Sequence, residues 1–342
     1  MVPFAGWQMP VQYSGIIEEH KATRTAAGLF DVSHMGELLV SGPEARLFLN
    51  YLLPNKVARL APGKILYSPM CYENGGTVDD VMVYAIHSEK FLICVNASNT
   101  DRDMEWISRH AKGYDCVVTD VSAEYFLLAL QGPAWRKIAE ICFPDVNEFP
   151  PRFSFSEINF EGETLILSRT GYTGEDGLEI YGSPAVAVKV ADLLVAKGEE
   201  FGLKLAGLGS RDSLRLEAGL PLYGHELSEQ ISAVDAGLGW TVDWSKEDFI
   251  GRKELHRQKE GGSSHRVVFF VLDDRRIARQ GTPVLNDQGQ EVGQVLSGTL
   301  SPMLNKPIGS ALIERSALKG NLHVSLRGNT IPLNLKKPPL HL

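Results

Sequence analysis

The stretch Gly75-Gly76-Thr77-Val78-Asp79-Asp80-Val81-Met82-Val83-Tyr84 puts two adjacent carboxylates inside a run that otherwise reads as a β-strand. Aspartate is depleted in strands because its short polar side chain competes for backbone hydrogen bonds and packs poorly on a pleated surface. Side chains alternate faces along a strand, so the two carboxylates must point opposite ways. One can face solvent, and the other is expected to look into the protein or into a cavity. A carboxylate facing a cavity needs a partner, and a ligand can be that partner.

Around this hairpin, strands and helices alternate irregularly, which favours an α+β fold over a doubly wound sheet. Residues 64–70 read as a strand, Glu73-Asn74-Gly75-Gly76 as a tight turn and 77–86 as the returning strand. Residues 91–95 and 125–130 are further strands. Helices are expected over 99–112, capped by Ser98 or Asn99, over 133–142, with Pro133 at a first helical position, and over 184–197. The segment 254–264 is charged and then rich in Gly and Ser, so it reads as a flexible linker. Beyond it lie short strands at 266–272, 283–285 and 291–297, with more pieces between 308 and 335. Turns at Asp287-Gln288-Gly289 and Gly328-Asn329 join them into a small all-β domain. At 342 residues the chain is too long for one simple core, and two or three subdomains are expected. The division expected is a region over 1–250, a linker over 251–264 and a C-terminal β domain over 265–342.

Charge and cysteine usage narrow the function classes. A net charge of −8 with pI near 5.6 disfavours nucleic acid and anionic membrane as partners, but leaves room for a small anionic ligand met by a local Arg or Lys. No apolar run approaches the roughly 18 residues that span a bilayer. Met1–Trp7 has neither a basic nor an apolar signal region. Cys71, Cys94, Cys116 and Cys142 show no CxxC spacing, so buried free thiols in a reducing compartment are expected rather than a zinc site or a disulfide framework. The nine histidines form no HxxxH pair, and no metal is expected.

Two further segments could carry chemistry. In Gly171-Tyr172-Thr173-Gly174-Glu175-Asp176-Gly177-Leu178-Glu179, three glycines let the backbone turn sharply and approach a ligand closely. The segment lacks GxGxxG spacing, no GK[ST] follows, and Glu175 and Asp176 would repel a phosphate. Glu179, in the strand that follows, could accept from the amino and ring N–H donors of a flat heterocycle; the bland reading is a decorated hairpin. In Leu208–Gly219, Ser210 reads as an N-cap and Gly219 as a stop, making a short helix over 211–218. Arg211 then sits in the first turn, where the helix dipole disfavours a cation. Either an anionic partner favours it there, Asp212 or a ligand, or it is exposed and the penalty is small. Trp240, Tyr67 and Tyr172 could stack on a planar ligand, though large aromatics more often pack in cores. Asp31-Val32-Ser33-His34 suggests an acid–base pair, but no nucleophile accompanies it and a hydrogen-bonded structural His34 is expected.

The stretches PFAGWQMPVQY, GLFDVSHMGE, ENGGTVDD, LALQGP, SRTGYTGEDGLE, AGLGSRDSLRLEAG and LSGTLSP follow one another over nearly the whole chain. Together they resemble the aminomethyltransferase of the glycine cleavage system, the T-protein family. The resemblance implies a three-domain, cloverleaf-like α+β fold around a central opening that holds tetrahydrofolate, with a small C-terminal barrel-like β domain. It implies transfer of a one-carbon unit from the aminomethyl group on the lipoyl arm of the H-protein to tetrahydrofolate. The products are methylene-tetrahydrofolate, ammonia and dihydrolipoyl H-protein, formed without a metal, flavin or nicotinamide. The family's essential aspartate falls on Asp80, with Asp79 the outward or structural member. Its folate-binding glutamate falls on Glu179 and its arginine on Arg211. Asn96, Trp240, Tyr67 and Tyr172 match further positions that line the folate pocket. The implied location is cytoplasmic, or the mitochondrial matrix for a eukaryotic source.

Members of the family usually carry a short segment before PFAGW, which helps organise the surface that receives the H-protein, and often aromatic or basic residues beyond the point where Lys336–Leu342 ends; the resemblance implies a complete folate pocket and leaves the H-protein docking surface open. Two other roles suit the same scaffold. One is a folate-dependent demethylase of a small amine or sulfonium compound. The other is a non-catalytic folate-binding protein of iron–sulfur assembly, whose Lys-Gly-Cys motif is missing from Asp248–Lys253.

Overall fold

The computed structural model describes residues 1–342, which form an α+β protein dividing into two compact units. The first comprises residues 1–68 and 80–211, the second residues 69–79 and 212–342. The chain passes between them inside strands Ile65–Cys71 and Thr77–His87 and inside helix Leu208–Ala218.

A six-stranded sheet runs in the order Phe155–Phe160, Glu163–Ser168, Gly177–Gly182, Phe126–Gln131, Ala27–Asp31, Leu203–Leu205. Only Leu203–Leu205 pairs in parallel, alongside Ala27–Asp31. Phe126–Gln131 is central and buried along its whole length, which is why it reads as an uninterrupted apolar run rather than an alternating one. Helix Trp135–Cys142 covers this sheet, burying Trp135, Ile138, Ala139 and Cys142 at helical spacing against Leu128, Leu130, Leu178 and their neighbours. It begins two residues after the expected Pro133, past the turn closed by Trp135 N–H on the Gly132 carbonyl.

The second sheet has five strands in the order Ile65–Cys71, Thr77–His87, Lys90–Val95, Gly36–Ser41, Val117–Asp120. Helix Thr100–Ala111 follows Asn99 as expected, with Asp101 and Asp103 in its first turn. The hairpin turn closes through Tyr72 N–H on the Gly76 carbonyl, 2.8 Å, and Gly75 N–H on the Tyr72 carbonyl, 3.0 Å. Glycine is required at 76, because a Cβ there would lie 1.9 Å from the carbonyl oxygen of Glu229.

In the second unit, seven antiparallel strands form the C-terminal β domain, in the order Asn329–Pro332, His323–Leu326, Pro283–Leu285, Glu291–Ser301, Lys306–Glu314, His265–Val271, Asn334–Leu335. The stretch expected as a flexible linker is instead a helix, Arg252–Gly261. Its glycines and serines cluster at the end, whereas Arg252–Glu260 are good helix formers with Glu254 paired to Arg257 one turn on. The helix over 211–218 also begins earlier than expected, at Leu208, so Ser210 lies inside it rather than at its cap. Glu19 holds this helix start: its Oε2 accepts from Gly207 N–H and the Ser210 hydroxyl, while its Oε1 accepts from the amides of Tyr13, Ser14 and Gly15. No helix is long and apolar enough to cross a membrane.

Candidate active site

The paired aspartates separate as alternation requires, but neither is freely exposed. Asp79 is fully buried, 0 % accessible, so of the outward and structural places expected for it, the outward one is excluded. Both faces of this strand are covered at that point, since Thr77, Val78 and Asp79 are all buried in succession. Asp80 is half-buried and is oriented through both carboxylate oxygens. The Tyr67 hydroxyl donates to Oδ2 at 3.0 Å, and the Asn96 amide donates to Oδ1 at 3.0 Å. Tyr67 is on the strand paired with that of Asp80, and Asn96 follows the strand on its other side, so the sheet itself brings the three together. Two neutral donors fix a carboxylate's direction without removing its charge, leaving an oriented anion.

The glycine-rich loop is pinned by side chains from the elements around it. Arg24 donates to the Thr173 carbonyl at 2.6 Å and pairs with Glu175 at 2.9 Å. Arg169 grips Asp176 through two bonds of 3.0 and 2.7 Å. The acidic residues of this loop are therefore neutralised internally. The amide of Gln131 fills the loop, accepting from the Thr173 hydroxyl and donating to the Thr170 carbonyl. A Cβ at Gly171 would fall 1.8 Å from Gln131 Oε1, so any larger residue there would have to displace the buried Gln131 amide that fills the loop.

That rigid loop sets Tyr172 and Glu179. The guanidinium of Arg211 lies over the Tyr172 ring, 4.7 Å from its centroid. Burial pulls the Arg211 pKa below the usual guanidinium value, against the pull of Tyr172, Glu179 and Cys94. Glu179 is half-buried; burial raises its pKa above the usual carboxylate value, against the Thr170 hydroxyl bonded to Oε2 and the field of Arg211. Behind Thr170 stands a chain of hydroxyls from Ser168, Tyr84 and Tyr181 that no sequence motif signalled. Its only trace in the sequence is polar atoms at positions otherwise patterned as buried strand.

Tyr67, Asp80, Asn96, Tyr172, Glu179 and Arg211 thus all belong to the first unit, in two clusters, one around Asp80 and one around Glu179 and Arg211. Trp240 belongs to the second unit, where it sits in a single turn, Gly239–Thr241, with 72 % of its surface exposed. His34 is buried at 6 % accessibility with its ring edge-on to Phe4, and its Nδ1 has no hydrogen-bond partner, contrary to the hydrogen-bonded histidine expected. Burial and Arg211 lower its pKa to about 4, against the field of Asp31, so the ring is neutral near pH 7. All four cysteines are free thiols, and no three His, Cys, Asp or Glu side chains gather as a metal site.

A rigid, oriented carboxylate, together with a second carboxylate in the field of an arginine that lies over an aromatic ring, defines a class of site suited to a flat, polar heterocycle. The profile described as the GCVT N-terminal domain matches residues 1–246, and that of the glycine cleavage T-protein C-terminal barrel domain matches residues 265–341. The chain belongs to the glycine cleavage T-protein family. It is 45% identical to an aminomethyltransferase of Desulforamulus reducens, over 100% of this chain and 94% of the relative. It is 46% identical to an aminomethyltransferase of Geobacillus kaustophilus, over 99% and 94% of the two chains. The solved glycine cleavage system aminomethyltransferase T from Bartonella henselae superposes with a TM-score of 0.92 at 32% identity, covering 99% of this chain and 93% of that one.

Proposed function

We infer that this chain is an aminomethyltransferase of the glycine cleavage system. Relatives of that name align over nearly their full length, as does the solved structure. We assign tetrahydrofolate as the acceptor and the lipoyl-bearing H-protein as the donor, in the cytoplasm. The observation that carries the site is the Asp80 carboxylate, aimed by Tyr67 and Asn96 while still half-accessible.

The reaction forms two bonds to the aminomethyl carbon, one from each of two folate nitrogens. It breaks the carbon–nitrogen bond that releases ammonia and the carbon–sulfur bond that frees the lipoyl thiol, and the two protons lost from the folate nitrogens end on the ammonia and the thiol. Positive charge develops on the attacking nitrogen as the new bond forms. A fixed carboxylate at that nitrogen stabilises the charge without reorganising, which is the role assigned to Asp80. Glu179 is assigned to the amino and ring N–H donors of the pterin, since an ionised carboxylate presents only acceptors. Arg211 and Tyr172 would hold an anionic or π-rich part of the same ligand, with Asn96 and Tyr67 steadying Asp80. Residues 1–250 are assigned the folate chemistry, joined through 251–264 to the β domain at 265–342. The limits of the two matching profiles, 246 and 265, support that division.

The test is formation of methylene-tetrahydrofolate from tetrahydrofolate and aminomethylated, lipoylated H-protein. Turnover is expected with that donor. No turnover, combined with turnover on a small methylated amine or sulfonium compound, would instead place the chain among folate-dependent demethylases.

A further inference from the structure

Five side chains of the first unit form one continuous hydrogen-bonded line. The Thr170 hydroxyl donates to Glu179 Oε2. Ser168 Oγ lies 2.6 Å from Thr170 Oγ1, the Tyr84 hydroxyl 3.2 Å from Ser168 Oγ, and the Tyr181 hydroxyl 2.8 Å from that of Tyr84. Ser168, Tyr84 and Tyr181 are all buried. The line crosses from one sheet to the other, because Tyr84 is on Thr77–His87 while Ser168 and Tyr181 are on Glu163–Ser168 and Gly177–Gly182.

Proton counting fixes its direction. A hydroxyl has one hydrogen to give. Thr170 gives its hydrogen to the ionised Glu179, so it must accept from Ser168. Ser168 must then accept from Tyr84, and Tyr84 from Tyr181. Every hydroxyl dipole points towards the one carboxylate, and such chains polarise their members cooperatively. Arg211 also acts on Glu179, and the charge of Glu179 in turn acts on Cys94, Tyr84 and Tyr181. The Cys94 thiol and both phenols keep their protons because burial raises their pKa values well above the usual range. Burial raises the Glu179 pKa above the usual carboxylate value, against the Thr170 hydroxyl and the field of Arg211.

We propose that Thr170, Ser168, Tyr84 and Tyr181 are positioning residues, a hydroxyl relay that holds Glu179 ionised and aimed for pterin recognition. The proposal rests on the assignment of Glu179 to the pterin. A relay acts through Glu179 alone, so its effects must fade with distance along the chain. A merely structural role would instead scale with the loss of packing, which is greatest at the buried tyrosines.

The test measures the tetrahydrofolate dissociation constant against pH, with the melting temperature of each protein, for the native chain, Glu179→Gln, Thr170→Val, Thr170→Ser, Ser168→Ala and Tyr84→Phe. Binding is expected to weaken about tenfold in Thr170→Val, falling to about twofold in Tyr84→Phe, from the loss of one charge-assisted bond and of one cooperative increment respectively. Thr170→Ser, which keeps the hydroxyl, restores near-native binding. Each weakened variant should lose affinity at a higher pH than the native protein as pH falls, because Glu179 takes up its proton more readily. Losses that follow melting temperature instead of position along the chain would overturn the relay. So would unchanged affinity and pH profile in Ser168→Ala and Tyr84→Phe alongside weak binding by Glu179→Gln. Native affinity in Glu179→Gln would overturn the pterin assignment itself, and the relay with it.

Discussion

Arg211 and Arg215 lie one turn apart on the same helix, yet their surroundings differ in kind. Arg215 is 1 % exposed and saturated by protein: Nη1 meets Glu226 at 2.7 Å, Nη2 meets Ser297 at 2.8 Å, and Nε meets Asp212 at 2.9 Å. Burial pushes the Glu226 carboxyl up, but Arg215, Ser310, Ser297 and the Leu222 amide bring it below its usual value. Both charges are thereby kept in a dry interior. Arg211 pairs with no carboxylate at ion-pair distance; it has an aromatic ring beneath it and the field of Glu179 nearby. A charge whose neighbours complete it is part of the fold, whereas a charge left incomplete beside an oriented carboxylate is ready for a ligand.

The comparison breaks most readily at Arg215. Removing it strands Glu226 in the interior, so Arg215→Met should cost about 3–5 kcal/mol in denaturant unfolding. A loss below about 1 kcal/mol would show the pair to be dispensable. Asp80→Asn comes next, with turnover expected to fall at least about a hundredfold while tetrahydrofolate affinity moves little, as for loss of one preorganised electrostatic group. Asp79→Asn, at the fully buried neighbour, should register in melting temperature rather than in turnover per folded molecule; equal kinetic loss in both variants would undo the distinction. Arg211→Ala should weaken tetrahydrofolate binding about tenfold, the scale of one desolvated cation–π or charge-assisted contact, with stability within about 0.5 kcal/mol of native. An unchanged dissociation constant would place Arg211 with Arg215 as a structural charge.

The gentlest test concerns a slope. Glu37 is buried, and burial with neighbouring Asp120 raises its pKa to about 9. The folded state therefore holds this proton more tightly than the unfolded chain does. The stabilising contribution is complete below the ordinary glutamate range and is lost as pH rises from there through about 9. Glu37→Gln, which keeps a neutral side chain at every pH, should flatten the fall of melting temperature over that window. Parallel curves for the two proteins would contradict it.

The sequence made the site more legible than the network that supports it. Asp80 stood out because an aspartate pair violates strand composition, and Arg211 because a cation in a first helical turn violates the dipole rule. Alternation correctly put Asp79 and Asp80 on opposite faces, but it could not show that both faces of that strand are covered. The start of helix Leu208–Ala218 was missed because its holder, Glu19, lies 188 residues away from Gly207 in sequence. The relay behind Glu179 was invisible for the same reason: Tyr84, Ser168 and Tyr181 each look like ordinary strand residues until two sheets bring their hydroxyls together. At 254–264 the terminal glycines and serines read as flexible chain, whereas the helix-forming residues before them set the structure.

A crystal structure with tetrahydrofolate bound tests the distinction between completed and incomplete charges most directly. Asp80, Glu179 and Arg211 should each lie within hydrogen-bonding or ion-pairing distance of the folate, while Arg215 and Glu226 keep their present partners. A folate seated on Asp79, or touching none of the three, would contradict the account.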